Sequence, residues 1–370
     1  MSNSNRITIK KDNEPIYDIV IAKDYSLLHE ELKALNLTGR KVCIVTDSTV
    51  SGLHLSSLLE ILKDYAKVVE TFTFAAGEKS KTLSTVEKLY EKLILSKFDR
   101  NDMLFALGGG VVGDLTGYAA ATYLRGISFV QIPTTLLACV DSSIGGKTGV
   151  DFNAYKNMVG AFHQPKLVYI NLAHLYTLDD RQFVNGMGEV IKHGLIKDVE
   201  YYRELKDNRS LILKREPEAL RKMVFRSCEI KQEVVEVDPT EKGVRALLNF
   251  GHTIGHSVER CMDFKLLHGE CVSIGMAGSA YLSYQRGSLT MEEFKEIEEV
   301  ISSYQLPVAL PENCLSAEGI LEAVFHDKKV DGDKIKFILL KEVGEAVMDS
   351  TVTGEEIRKA IDYIMKSKNK

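Results

Sequence analysis

Three ionisable residues in the second half of this 370-residue chain are of the types that bind a divalent metal directly: Glu189, His252 and His268. They lie in Gly186-Met187-Gly188-Glu189-Val190-Ile191-Lys192-His193, in Asn249-Phe250-Gly251-His252-Thr253-Ile254-Gly255-His256 and in Leu267-His268-Gly269-Glu270. Two neutral imidazoles and a carboxylate suit zinc, and they leave a coordination position open for a substrate oxygen, as a catalytic site requires. His256 complicates the count. It follows His252 by four residues on a predicted helix, so both rings share a face. Four candidates are one more than an open zinc site needs, and one of them could instead do acid–base or anion-binding work.

Basic residues recur in the same kinds of segment: Arg125, Lys147, Lys156, Lys192, Lys231, Arg245 and Lys328-Lys329. A lone Lys or Arg is usually a solvated surface charge. Several of these sit in Gly-containing turns, and together they could hold a substrate bearing both carboxylate and phosphate, Arg as a bidentate fork and Lys as a point charge.

Upstream, Met103-Leu104-Phe105-Ala106-Leu107 runs into Gly108-Gly109-Gly110-Val111-Val112-Gly113-Asp114. Positions 108, 110 and 113 satisfy G-x-G-x-x-G between a strand and a helix, where backbone N–H groups can approach a pyrophosphate at the positive end of the helix. The acid expected roughly 20 residues downstream is absent. Asp47, ending an earlier strand, could serve the ribose instead. Ser143-Ile144-Gly145-Gly146-Lys147-Thr148 imitates the end of a phosphate-binding P-loop, but that motif needs Gly where this chain has Asp141, so an ATPase of that class is rejected.

The elements that must position these groups follow from composition and periodicity. Apolar content of 45%, charged content of 27% and a net charge of −5 describe an ordinary globular protein with no electrostatic footprint for nucleic acid. Six scattered cysteines (43, 139, 228, 261, 271 and 314) include no Cys-x-x-Cys pair, so neither thiolate metal sites nor a disulfide framework is expected. No secretory signal is read at the N-terminus, and the longest uncharged runs, 126–140 and 271–285, are too short to span a bilayer. A cytoplasmic protein with no membrane partner is expected.

Runs rich in Val, Ile and Phe at 18–22, 41–46, 68–74, 103–107, 127–132 and 167–170 read as strands, and 25–34, 53–62, 85–95 and 115–123 as helices. That alternation predicts βαβ units and a mostly parallel sheet. Beyond about residue 178, helices are predicted over 189–196, 218–237, 245–261, 270–285, 291–304, 317–326 and 355–365, two of them opened by the capping boxes Thr290/Glu293 and Thr353/Glu356. Runs at 335–340 and 346–348 predict a small hairpin. The expected fold is an α/β Rossmann-like dinucleotide-binding domain over 1–178 and an all-α domain carrying the candidate metal ligands over 179–370.

Pro133-Thr134-Thr135-Leu136-Leu137-Ala138-Cys139-Val140-Asp141-Ser142-Ser143-Ile144-Gly145-Gly146-Lys147-Thr148-Gly149-Val150-Asp151 and Lys156-Asn157-Met158-Val159-Gly160-Ala161-Phe162 closely resemble the 3-dehydroquinate synthase family. The Gly-rich loop, the Glu189 segment, Leu248-Asn249-Phe250-Gly251-His252, His268-Gly269-Glu270 and Asp327-Lys328-Lys329 follow in that family's order, so the resemblance covers roughly residues 40 to 345.

The resemblance implies conversion of 3-deoxy-D-arabino-heptulosonate 7-phosphate to 3-dehydroquinate and phosphate, the second step of the shikimate pathway. In that reaction NAD is recycled: the carbon-5 hydroxyl is oxidised, phosphate is eliminated, the ketone is reduced, the ring opens and an aldol step closes the carbocycle. It implies zinc or cobalt on Glu189, His252 and His268. NAD would be contacted by Asp47, Glu78, Lys81, Gly109, Gly110, Asp114, Thr134, Thr135, Asp141, Ser142, Lys147, Lys156 and Thr177. Lys147, Asn157, Asn249, His256 and Lys328 (or Lys329) would surround the phosphate, Lys231 and Arg245 the carboxylate, and Lys192 the substrate hydroxyls. Asp141 would touch both nicotinamide and substrate, Glu241 joins the catalytic set, and Arg125 would reach across a homodimer interface. His256 is then the histidine withheld from the metal. Gly188, where Ala is more usual, and His193, where Tyr is common, are the departures. Other sugar phosphate cyclases, metal-dependent alcohol or glycerol dehydrogenases and an idle binding protein with the same fold are the alternatives.

Overall fold

A computed structural model describes residues 5–153, 155–241, 243–262, 265–311, 317–328 and 336–366. The chain forms two compact units, one of Met1–Asp179 with Leu220–Gln232, the other of Asp180–Ala219 with Glu233–Lys370. The helix Pro217–Val237 therefore contributes residues to both.

The first unit is built on strands β1 (Arg6–Lys11), β2 (Glu14–Ala22), β3 (Lys41–Asp47), β4 (Val68–Phe74), β5 (Met103–Gly108), β6 (Ser128–Pro133), β7 (Lys147–Phe152), β8 (Tyr155–Phe162) and β9 (Leu167–Asn171). Seven of them form one sheet in the order β1-β2-β9-β6-β5-β3-β4, parallel except for the β1–β2 pair. Alternate residues of β3 point to opposite faces, and each face is covered. Val42 and Ile44 join Leu28, Leu32, Leu58 and Leu62 in one core, while Cys43 and Val45 join Val86, Leu89, Leu115 and Ala119 in another. Burial on both faces explains why β3 and β5 read as unbroken apolar runs.

Between β3 and β5 the chain direction across the sheet reverses, since β4 lies beyond β3 while β6 and β9 extend from β5. Ligands of open α/β sheets bind at the carboxyl ends of the strands at such a reversal. Asp47 and Gly108 are the last residues of these two strands. Two π turns, Ser51–Leu55 and Ala138–Ser142, follow the carboxyl ends of β3 and β6, and such turns gather at functional edges.

Two hairpins escaped the sequence reading. Asp12 and Asn13, both at positive φ, make the tight turn that pairs β1 with β2. β7 and β8 pair separately from the main sheet.

The second unit is helical, with the small hairpin Phe337–Glu342/Glu345–Asp349 added to the expected all-α plan. Helices His252–Cys261 and His268–Gln285 approach through glycine: a Cβ on Gly275 would lie 1.9 Å from the Gly251 carbonyl oxygen. The helix expected over 245–261 is in fact broken. Val244–Asn249 is a 3-10 helix, and Gly251 at φ +79° turns the chain before His252 starts a new α-helix. Ile357, Ala360, Ile361 and Ile364 of the C-terminal helix Gly354–Lys366 pack on Ile254, Val258, Ile274 and Ala277. Both expected capping boxes form. No helix among the described residues is long and apolar enough to cross a membrane.

Candidate metal and nucleotide sites

Glu189 lies in the helix Asp180–Lys197, His252 at the start of His252–Cys261 and His268 at the start of His268–Gln285. Their nearest ligand atoms all lie within 4.8 Å of one another. Glu189 Oε1 stands 3.6 Å from His252 Nε2 and 3.5 Å from His268 Nε2. Bonds of about 2.0–2.1 Å in a tetrahedron place neighbouring ligand atoms about 3.4 Å apart, close to the spacing seen here.

Glu189 Oε1 is fully buried and, among the described residues, has no hydrogen-bond partner, an arrangement that costs about 1–3 kcal/mol or more for a charged group unless something else meets it. Its other oxygen is held by buried Lys192, one helical turn on. Burial raises the Glu189 pKa, but Lys192 and then His252 outweigh that and hold the carboxyl well below its usual range. His252 is pushed well below its ordinary pKa by burial and by Lys192. Its Nδ1 faces the Phe250 carbonyl at 3.2 Å, so the proton belongs there and the Nε2 lone pair faces Glu189. In the metal-free protein, burial disfavours charge on His268, yet contacts with Glu189 and Glu259 raise its pKa to about 9. An anionic carboxylate oxygen without an ordinary hydrogen bond among the described residues, facing two imidazole nitrogens at 3.5 and 3.6 Å, fits a divalent cation.

His256 falls outside this set: it is exposed, its ring centroid is 6.0 Å from that of His268, and its ligand atoms group with Glu259 and His268 instead. Glu259, which the sequence reading missed, was signalled by its position three residues after His256 and seven after His252 on one helix.

The helices carrying Glu189 and His268 can approach because Gly188 and Gly269 meet. A Cβ on Gly188 would lie 2.9 Å from the Gly269 carbonyl oxygen, and one on Gly269 only 1.8 Å from that of Asn185. Gly269 N–H donates to Asn185 Oδ1 at 2.6 Å.

Elsewhere in this unit, Arg245 is buried and donates from Nη1 to the Pro239 carbonyl at 2.8 Å, while its backbone N–H reaches Asp238. Asn249 Nδ2 donates to Glu241 Oε1 at 3.0 Å. The side chain of Lys328, at the end of the helix Ala317–Lys328, and all of Lys329 lie outside the described residues, as does Cys314.

In the first unit the Gly-rich turn is shaped for close approach. Gly109 caps the helix Gly110–Thr122, a Cβ on it would meet Thr135 at 3.0 Å, and one on Gly110 would meet Ser142 Oγ at 3.0 Å. The buried hydroxyls of Thr134 and Ser142 beside this turn have no partner among the described residues. Open helix N–H groups flanked by unused hydroxyls suit a dinucleotide's phosphates and sugar. Asp47 accepts from Thr49 and Val50 N–H at 2.8 and 3.0 Å, capping the helical stretch after β3 with one oxygen.

Other expected residues form separate groups. Buried Lys81 bridges Asp114, at 2.6 Å, and Asn157; Glu78 stands 4.0 Å from both Lys81 and Lys156. Burial lowers the Lys81 pKa, but Asp114 and Glu78 more than offset this, so it stays charged. Lys231 donates to the Asp141 backbone carbonyl at 2.6 Å and to its carboxylate. Thr177 bonds His54 at 2.8 Å. Lys147 opens β7 and is exposed; Gly145 and Gly146 before it sit at positive φ, which accounts for both glycines without a P-loop. Arg125 is exposed at φ 69°.

Family models described as 3-dehydroquinate synthase N-terminal and C-terminal match residues 71–185 and 186–330. A 3-dehydroquinate synthase from Ruminiclostridium cellulolyticum is 44% identical over 94% of this chain and 96% of its own. Another from Coxiella burnetii is 40% identical over 97% and 99%. Among solved structures, a 2-epi-5-epi-valiolone synthase from Streptomyces hygroscopicus with NAD+ and Zn2+ bound superposes with a TM-score of 0.87 at 32% identity, over 96% of this chain and 98% of that one. An iron-containing alcohol dehydrogenase at 17% identity and a TM-score of 0.67 shares the fold. With identity at this level along nearly its full length, and family matches on both sides of residue 185, the chain belongs to the 3-dehydroquinate synthase family.

Proposed function

We propose that this chain converts 3-deoxy-D-arabino-heptulosonate 7-phosphate to 3-dehydroquinate and inorganic phosphate, with zinc or cobalt and NAD as cofactors. The observation that carries the reading is the buried Glu189 Oε1, without an ordinary hydrogen bond among the described residues, facing His252 and His268, in a chain at least 40% identical to synthases of that name. When bound, the metal supplies a Lewis acid at the substrate oxygens and NAD a hydride acceptor restored within the same turnover.

The residues' own tasks are assigned unit by unit. In the helical unit, Glu189, His252 and His268 hold the metal, and Lys192 orients the substrate hydroxyls. Arg245 takes the carboxylate, and Asn249, His256 and Lys328 the phosphate, with Glu241 fixing the Asn249 amide. In the sheet unit, the Gly109–Gly110 turn, Thr134, Thr135, Ser142, Asp47 and Thr177 bind the dinucleotide. Lys81 keeps Asp114 and Asn157 in place, and Glu78, Lys147 and Lys156 complete that edge. Lys231 orients Asp141 toward the nicotinamide and contributes to carboxylate binding. Oxidation at carbon 5 acidifies the neighbouring C–H, and cations around the phosphate stabilise it as a leaving group. We further propose a cytoplasmic homodimer in which Arg125 serves the neighbouring subunit; mixed dimers carrying complementary lesions should then recover activity when only one subunit has Arg125→Ala.

A phosphate-release assay with heptulosonate phosphate, run with and without NAD and chelator, tests the assignment. Release that needs both cofactors, with no net NADH, is expected. Consumption of a different sugar phosphate in place of the heptulosonate would favour another cyclase, the reading suggested by the valiolone synthase likeness. Stoichiometric NADH would favour a dehydrogenase.

A further inference from the structure

The His268 ring lies between two carboxylates. Its Nε2 is 3.5 Å from Glu189 Oε1, and its Nδ1 is 3.8 Å from Glu259 Oε2, an ion-pair spacing longer than a hydrogen bond. Glu259 is 6% exposed. It stands on the same helix as His252, two turns on, so one helix carries both a candidate ligand and the group facing the back of another.

We propose that Glu259 is the positioning residue of the metal centre, holding the His268 proton on Nδ1 so that the Nε2 lone pair is presented beside Glu189 and His252. The inference rests on those three residues being the ligands.

The reasoning is a competition. The metal-binding form of an imidazole is neutral and carries one proton, and each carboxylate attracts that proton to the nitrogen it faces. A proton on Nε2 would bond Glu189 and block the metal; a proton on Nδ1 leaves Nε2 free. His252 has its own anchor in the Phe250 carbonyl. His268 is the first residue of its helix, and among the described residues the polar atom facing its Nδ1 belongs to Glu259. A carboxylate behind a ligating imidazole also makes the ring a stronger donor to the metal.

The test uses the full chain, with zinc affinity measured by competition against a chromophoric chelator and the absorption spectrum of the cobalt-substituted protein as a second readout. Glu259→Ala should weaken zinc binding about 10–100-fold and alter the cobalt spectrum. Glu259→Gln, which preserves side-chain volume and whose amide oxygen still accepts from Nδ1–H, should lose less. It also serves if the alanine variant does not fold. Affinity within about twofold of the parent in both variants, with His268→Ala unable to bind zinc, overturns the proposal and leaves the ligand assignment standing. Zinc binding by His268→Ala at parental strength overturns the ligand assignment itself. His256, Glu259 and His268 also offer ligand atoms within 4.8 Å of one another. Two zinc ions per parent chain and one in Glu259→Ala would therefore overturn the proposal by making Glu259 a ligand.

Discussion

Removing the Glu189 carboxylate should do two separable things. The side chains of Glu189 and Lys192 are 0% and 2% exposed and form an ion pair one helical turn apart. Among the described residues Glu189 is the carboxylate that compensates Lys192, so Glu189→Ala leaves a buried ammonium without a counter-charge. Breaking such a pair on one side costs about 3–5 kcal/mol, whereas replacing both partners by apolar groups is often neutral. At about 2–4 °C per kcal/mol for a unit of this size, the metal-free Glu189→Ala protein should unfold roughly 6–20 °C below the metal-free parent. Adding Lys192→Met should recover most of that loss without restoring zinc binding or turnover. Thermal unfolding after chelation, with zinc content and phosphate release measured in parallel, reads both effects. A metal-free single variant within about 1 kcal/mol of the parent, or a double variant no more stable than the single, would refute the claim that this pair is buried and mutually compensating.

Three further outcomes are expected. His256→Ala should keep its zinc and lose turnover, as zinc content against phosphate release will show; a metal-free protein would reverse the division of roles. Gly269→Ala must move its Cβ from 1.8 Å of the Asn185 oxygen to an ordinary contact. The His268 helix then shifts by more than an ångström, a change expected to cost about 1–3 kcal/mol or more and to deplete zinc, read by melting temperature and metal content. Glu356 is held down to about 2, chiefly by Arg286, which bonds both its oxygens. A depressed carboxyl contributes stability above its unfolded pKa near 4.5 that is lost as pH falls toward about 2. Because the pair is partly exposed, Arg286→Ala should remove about 1–2 kcal/mol at neutral pH, and less at pH 2 to 3, in denaturant titrations at each pH.

Much of this fold was legible because its signals are local. β3 and β5 are short apolar runs whose flanking helices carry their own periodicity, and the capping boxes at Thr290 and Thr353 lie within four residues of sequence. What went unread depended on backbone sign or on distant partners. Nothing in 245–261 taken as a helical pattern announces that Gly251 turns left-handed. That conformation sits at a close approach to another helix, where a Cβ on Gly251 would lie 2.8 Å from Met276 N and from the Val272 carbonyl oxygen. The β7–β8 hairpin was hidden because its strands expose apolar side chains such as Phe152, Met158 and Phe162, against the usual alternation.

The amino-acid sequence by itself determined the kinds of atom available: two imidazoles and a carboxylate for a metal, a glycine turn for phosphates, and enough family likeness to name the expected reaction. These are properties of residue type and spacing, which no folding can alter. Only the tertiary structure decided which atoms share a point in space. It placed His268 rather than His256 beside Glu189, exposed the unmet Glu189 Oε1, and set Glu259 behind the His268 ring. Those outcomes depend on how closely three helices cross, and that closeness is set where Gly188, Gly251, Gly255, Gly269 and Gly275 let backbones touch. A coordination sphere spans a few ångströms, while the residues forming it are separated by tens of positions along the chain.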